Sequence, residues 1–158
     1  MDQETKPVVP AWYWAVAGVA LLWNLLGCAA FGMQLSAPDK MTEGMTEAQQ
    51  QWGKSLPNWV LFTNGLAVCT GAMGSVALLL RNKWSVSLYA ISLVSVLVHG
   101  VYTIFITGGI KILAPSQLIM QSVIVILAGA LLWFSKSARG KGWLESRSNP
   151  DQAPESPA

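Results

Sequence analysis

Charge is scarce in this chain. Of its 158 residues, 11% are Asp, Glu, Lys or Arg, where an ordinary soluble domain carries ~25%. With 53% hydrophobic residues, that shortage excludes a disordered chain and argues against a soluble globular one. The net charge of +2 leaves no electrostatic footprint for nucleic acid. Catalytic signatures are missing too: there is no G-x-S-x-G, no H-E-x-x-H and no phosphate-binding Gly-rich loop, so neither enzyme activity nor a cofactor is expected. A single histidine, His99, and the lack of any C-x-x-C speak against a metal site of the usual His/Cys/carboxylate kind and against paired-thiol redox chemistry. Cys28 and Cys69 read as small buried residues.

What is present is organised by the gaps between charges. The runs Pro7–Pro38, Ser55–Leu80, Trp84–Ile110 and Ile112–Ser135 contain no Asp, Glu, Lys or Arg, and each exceeds the ~20 residues a bilayer-spanning helix needs. Backbone groups in hydrocarbon must pair within their own segment, so the spans are helical. The expected fold is therefore all-α: an antiparallel bundle of four transmembrane helices over about 11–35, 57–80, 85–107 and 117–135, preceded by a short segment at 1–10. Lys6, Arg81, Lys83, Lys136, Arg139, Lys141 and Arg147 fall on one side of such a bundle, and only Lys40, Lys54 and Lys111 on the other. The positive-inside rule then places both termini in the cytoplasm. Trp12, Trp14, Trp59, Trp84, Trp133 and Trp143 sit at or just beyond span ends, where indole favours the interface.

The connections differ. Arg81-Asn82-Lys83 is a tight turn that makes the second and third spans antiparallel neighbours. Gly108, Gly109 and Pro115 break the chain between the third and fourth. The long outer loop 36–56 holds Met41, Met45, Ala48 and Trp52 at helical spacing, and Thr46 and Gln49 at capping-box spacing, which predicts a short amphipathic helix on the outer surface. Asp39, Glu43 and Glu47 at steps of four read as its solvated face. The polar, Pro/Ser-rich stretch 144–158 reads as a disordered cytoplasmic tail. Leu25-Leu26-Gly27-Cys28 has the outline of a lipoprotein cleavage box, but the start Met1 to Lys6 is not basic and Leu26 is not small, so a first span is the expectation.

The spans hold few strong polar groups: Asn24, Asn64, His99, Tyr102 and Gln121. At ~1.5 Å of rise per residue, Asn24 falls near the midplane and the others in the outer half. Ser85, Ser92, Ser95, His99 and Tyr102 form one seam along the third span, and Gln117 and Gln121 share a face of the fourth. In the second span, Gly65-x-x-x-Cys69, Ala67-x-x-x-Gly71 and Gly71-x-x-x-Ser75 repeat small residues, with Gly74 beside them, as helix-packing faces do. The polar groups are either interhelical glue or the wall of a pocket open to the outside; spacing alone fits both.

Leu22-Trp23-Asn24-Leu25-Leu26-Gly27 with Phe31 and Gln34, Pro57-Asn58-Trp59, Lys83-Trp84 and the ending Lys136 to Trp143 resemble a family of small bacterial four-span inner-membrane proteins. The family pattern is Trp-Asn-x-x-Gly in the first span and Pro-x-Trp at the second. Some members carry the label "sugar transporter". The resemblance covers roughly 11–144. It implies a multi-pass protein of the bacterial inner membrane and a Gln or another polar residue where this chain has His99.

Three functions follow as expectations. The first is binding or passage of a small uncharged polar solute, sugar-like, by an oligomer, with Asn24, Asn64, His99, Tyr102 and Gln121 converging on a hydrated pocket. The second is an accessory or structural subunit of a larger membrane protein, with the small-residue face of Ala67, Gly71, Gly74 and Ser75 turned outward to meet it. The third, an enzyme acting on a lipid or quinone, has the least support. The absence of intramembrane carboxylates argues against proton-coupled pumping.

Overall fold

The computed structural model describes residues 8–144. Lys6, Arg147 and the expected tail from 145 onward lie outside the described residues. The described chain is an all-α bundle: α1 (Ala11–Ser36), α2 (Pro38–Thr42), α3 (Glu47–Ser55), α4 (Asn58–Leu79), α5 (Trp84–Gly100, running on into π-helical turns at Val101–Ile106) and α6 (Pro115–Gly140). Four helices, α1, α4, α5 with its extension, and α6, are long and apolar enough to cross a membrane, and the protein is multi-pass. Proline opens several of these elements: Pro10 and Pro57 stand at the N-cap of α1 and α4, and Pro115 at the first position of α6. There its missing N–H costs nothing.

The helices pack in the order α1, α4, α5, α6. The two central helices bury more of their length than the flanking pair. Large apolar side chains such as Leu26, Phe62, Phe105, Ile126 and Trp133 cover the outside, as a lipid-facing surface requires. Cys69 also faces outward, because α4 turns its small residues to both neighbours and leaves Cys69 off that face; Cys28 lies 3.7 Å from the Val68 carbonyl.

One end of the bundle is basic and tightly closed. Here α4 and α6 both finish in Schellman turns. In the first, Asn82 and Arg81 donate back to Ala77 and Leu78 (2.8 and 2.9 Å), with Arg81 itself in the left-handed region at φ 54°. In the second, Trp143 and Gly142 donate to Ala138 and Arg139 (3.0 and 3.1 Å), with Gly142 at φ 71°. The second turn folds Trp143 and Leu144 back against Tyr13, Phe134 and Ala138. Leu144 is 2% exposed, so the packed domain extends one residue past the expected boundary. Trp143 is buried, with Trp12 and Tyr13 edge-on to it at 5.5 and 5.9 Å. Arg81 Nε donates to the Trp143 carbonyl (2.8 Å) and joins the two turns.

The other end is capped by α2 and α3. The sequence predicts one amphipathic helix across Met41–Trp52. The structure has two short ones, interrupted where Gly44 takes φ 83°. The capping box is present: Gln49 N–H donates to Thr46 Oγ1 (3.3 Å) and Thr46 N–H to Gln49 Oε1 (3.1 Å). With α3 restarting at Glu47, the inward face carries Gln49 and Trp52, and Ala48 is exposed. The spacing-based face was rotated because the break at Gly44 resets the helical phase.

A capped cavity in one half of the bundle

The two halves of the bundle use their polar side chains differently. Toward the basic end, hydroxyls pair across helices. Tyr13 donates to the Leu78 carbonyl (2.6 Å), Ser85 and Ser135 share a 2.7 Å bond, and Ser92 donates to the Ala67 carbonyl of α4 (2.8 Å). Asn24 belongs to this sealed region. Its Nδ2 donates to the Ala20 carbonyl (2.8 Å) and to Ser75 Oγ (3.1 Å), and Ser75 in turn shares a 2.9 Å bond with Tyr89 OH. The glycine of α4 at this level makes the approach feasible, since a Cβ on Gly71 would collide with Asn24 Oδ1.

The rest of the small-residue face is used likewise. Gly65, Ala67, Gly71, Gly74 and Ser75 are all buried. A Cβ on Gly65 would stand 2.7 Å from the Phe31 ring of α1, and one on Gly74 would stand 3.2 Å from the Tyr89 ring of α5. One face of α4 therefore seats two neighbours. It does not turn outward, as the accessory-subunit expectation required.

Toward the capped end the helices separate around a cavity of about 680 Å³. Asn64 of α4, His99 of α5 and Gln121 of α6 line it together. Three amides outside the expected pocket constellation join them: Gln34 at the end of α1, Gln117 on the first turn of α6 beside Gln121, and Gln49 on α3. Met41, Met45 and Trp52 supply apolar cover from the α2–α3 segment, and Asp39 and Lys54 stand exposed among the lining residues of that segment.

Tyr102 does not reach this cavity. From Val101 the third span winds as a π-helix, with the Thr107 N–H bonded to the Tyr102 carbonyl at 3.0 Å. A π turn advances through a smaller angle per residue than an α turn, so it brings Thr103 under His99 and carries Tyr102 round to the bundle's outer face. There Tyr102 packs edge-on against Trp59, with centroids 4.5 Å apart. Thr103 takes its place in the wall, with Oγ1 donating to the His99 carbonyl (2.7 Å). Of the expected constellation, Asn64, His99 and Gln121 converge, Asn24 is sealed below, and Tyr102 faces away. A π segment at a cavity wall is a common mark of a functional position, but nothing in the local sequence Gly100–Thr107 announces it.

The amides around the cavity keep hydrogen-bonding capacity that the protein does not use. Asn64 Nδ2 donates to Gln34 Oε1 (3.3 Å), and among the described residues the Asn64 carbonyl has no side-chain partner. Gln117 Oε1 accepts from the Ala114 N–H (2.9 Å) and, at 3.5 Å, from Gln49 Nε2. The Gln121 amide lies across Gly100 of α5, where a Cβ would come within 3.0 Å of its Nε2. The cover is held down by Gln49 Nε2 to the Ile112 carbonyl (3.1 Å) and by Trp52 Nε1 to Thr107 Oγ1 and O (3.1 and 3.3 Å).

Among the described residues, no group of three or more His, Cys, Asp or Glu side chains is placed to hold a metal. Comparison with protein-family models, with curated proteins and with solved structures found no match to this chain.

Proposed function

We propose that this protein is a non-catalytic, multi-pass protein of the bacterial inner membrane that binds a small uncharged polar solute, sugar-like, in the cavity beneath α2 and α3. The observation that carries the proposal is the convergence of Gln34, Gln49, Asn64, His99, Gln117 and Gln121 on one cavity of about 680 Å³. That volume lies within the ~300–1,000 Å³ typical of small-molecule sites. Side-chain amides offer donors and acceptors in equal measure without net charge, which matches hydroxyl-bearing solutes better than ions. The wall contributed by the spans is free of Asp, Glu, Lys and Arg, which disfavours a charged ligand. Apolar cover from Met41, Met45 and Trp52 suits the C–H faces of such a molecule.

Orientation follows the basic residues: both termini are cytoplasmic and the cavity opens on the outer side. The cytoplasmic half is closed by the Asn24–Ser75–Tyr89 network and the Tyr13–Phe134–Trp143 cluster. Passage of solute would then need that half to part, or a path between copies in a homo-oligomer. An accessory role in a larger complex is the weaker reading, since the small-residue face of α4 is occupied by α1 and α5.

Native mass spectrometry of the gently extracted protein tests this. The expected spectrum shows a homo-oligomer retaining a small neutral molecule, and Asn64→Leu loses that molecule while the oligomer persists. A one-to-one complex with an unrelated larger membrane protein, with no retained solute, would move the assignment to the accessory role.

A further inference from the structure

His99 is the chain's only histidine, and its two ring nitrogens are in different situations. Nδ1 lies 3.3 Å from the Val60 carbonyl on the first turn of α4. A carbonyl only accepts, so this bond requires the proton on Nδ1. In the neutral ring Nε2 is then a bare acceptor. Among the described residues no atom bonds Nε2, yet no buried side-chain nitrogen or oxygen lacks a partner. Nε2 is therefore reachable rather than sealed, and the ring lines the cavity. The acceptor is also held in place. Val60 is 3% exposed, and its carbonyl accepts from Thr63 Oγ1 (2.9 Å) as well. The His99 carbonyl is tied by Thr103, and Gly100 beside it seats the Gln121 amide.

We propose that His99 is the specificity-determining residue of the cavity: the Val60 carbonyl fixes its tautomer, so that Nε2 presents a single acceptor and selects neutral solutes carrying an O–H or N–H donor, with polar solutes that only accept excluded. The proposal rests on the solute-binding reading above and narrows its ligand class. A solute lacking the donor would leave Nε2 desolvated and unpaired, the arrangement by which buried polar sites discriminate most strongly.

The single imidazole makes a direct test simple. The full-length protein, labelled with 15N-histidine and reconstituted in lipid bilayers, is examined by solid-state NMR alone, with glucose and with dimethyl sulfoxide. The expected spectrum has a protonated Nδ1 and a bare Nε2, and glucose moves the Nε2 resonance while dimethyl sulfoxide, an acceptor without a donor, does not. A bare Nδ1 with protonated Nε2 overturns the proposal whatever binds. If glucose shifts the side-chain amides of a 15N-glutamine sample but leaves Nε2 unmoved, the specificity role falls and the solute site stands. If glucose moves neither, both fall. Glucose affinity measured by equilibrium dialysis should drop about tenfold in His99→Leu. His99→Gln, whose terminal amide can accept near the position of Nε2, should recover most of the loss. Equal loss in both variants, with unfolding temperatures matching the parent protein, counts against a selective acceptor.

Discussion

The sealed half and the cavity half of this bundle draw on the same sparse stock of polar residues and put it to opposite use. Near the basic end the groups are mostly hydroxyls: Tyr13, Ser75, Ser85, Tyr89, Ser92 and Ser135. A hydroxyl has one donor and can bond a carbonyl of its own or a neighbouring helix, as Ser75 does to Gly71 at 3.0 Å. Such groups can be buried with nothing left over. Around the cavity the groups are amides and an imidazole, which have more donors and acceptors than helices with paired backbones can satisfy. The surplus at Asn64, Gln117, Gln121 and His99 needs water or a solute, and the helices stand apart there. Polar side chains in a membrane bundle thus act as glue or as a pocket according to whether their capacity is used up within the protein.

The contrast can be broken by substitution. The largest effect is expected at Gly71. In Gly71→Ala the new methyl meets Asn24 Oδ1 and lies 3.2 Å from Ser92 Oγ, so either the Asn24 amide turns out of its bond to Ser75 or α1 backs away from α4, at a cost of ~1–3 kcal/mol. Thermal unfolding in detergent reads this, and an unchanged midpoint would show that the sealed half has room for a methyl at Gly71. Ser75→Ala comes next. It leaves one of the two Asn24 Nδ2 donors and the Tyr89 OH without their Ser75 partner, for ~0.6–2 kcal/mol in a membrane setting, and Asn24→Leu added to it should cost less than the sum of the two single changes.

Smaller and local is Trp52→Phe, which removes the indole bond to Thr107. With ~0.5–1.5 kcal/mol lost from the cover, amide exchange over 47–55 should quicken while that of α4 and α5 stays the same; quickening throughout would mean the cover is integral to the bundle. The smallest effect is predicted for Gln121→Leu. Among the described residues its amide has no hydrogen-bond partner to lose, so stability should change by about 0.5 kcal/mol or less, although solute retention should disappear. A loss comparable to that of Ser75→Ala would erase the distinction between the halves.

Much of this architecture was legible in the residues. Charge-free runs located the helices to within a few residues, because a charge in hydrocarbon is too costly to ignore. Only the end of α6 ran well past its expected limit, to Gly140, where Lys136 and Arg139 can reach the interface from the helix's last turns. Thr46 and Gln49 marked the start of α3, since a capping box is a local arrangement of neighbours. The departures came where a local rule met a distant partner or a change of winding. Gly44 divided a stripe that spacing alone would continue. The π turn exchanged Tyr102 for Thr103. Leu144 and Trp143 were drawn into the core by a Schellman turn that needs Arg81 from another helix to receive it.

Asn24 and Asn64 show most plainly where the division lies. Both are asparagines in apolar helices, and their flanking residues do not separate an amide bonded within the bundle from one that faces the cavity. Four membrane helices, their antiparallel order and the lack of charge within them follow from composition and spacing, because the bilayer penalises every alternative. Which asparagine spends both of its donors within the protein was decided by helix packing. Gly71 of α4 lets Asn24 approach, and Ser75 with the Ala20 carbonyl takes both of its N–H donors. At the level of Asn64 the cavity opens between the helices, one of its donors meets Gln34, and among the described residues its carbonyl has no side-chain partner.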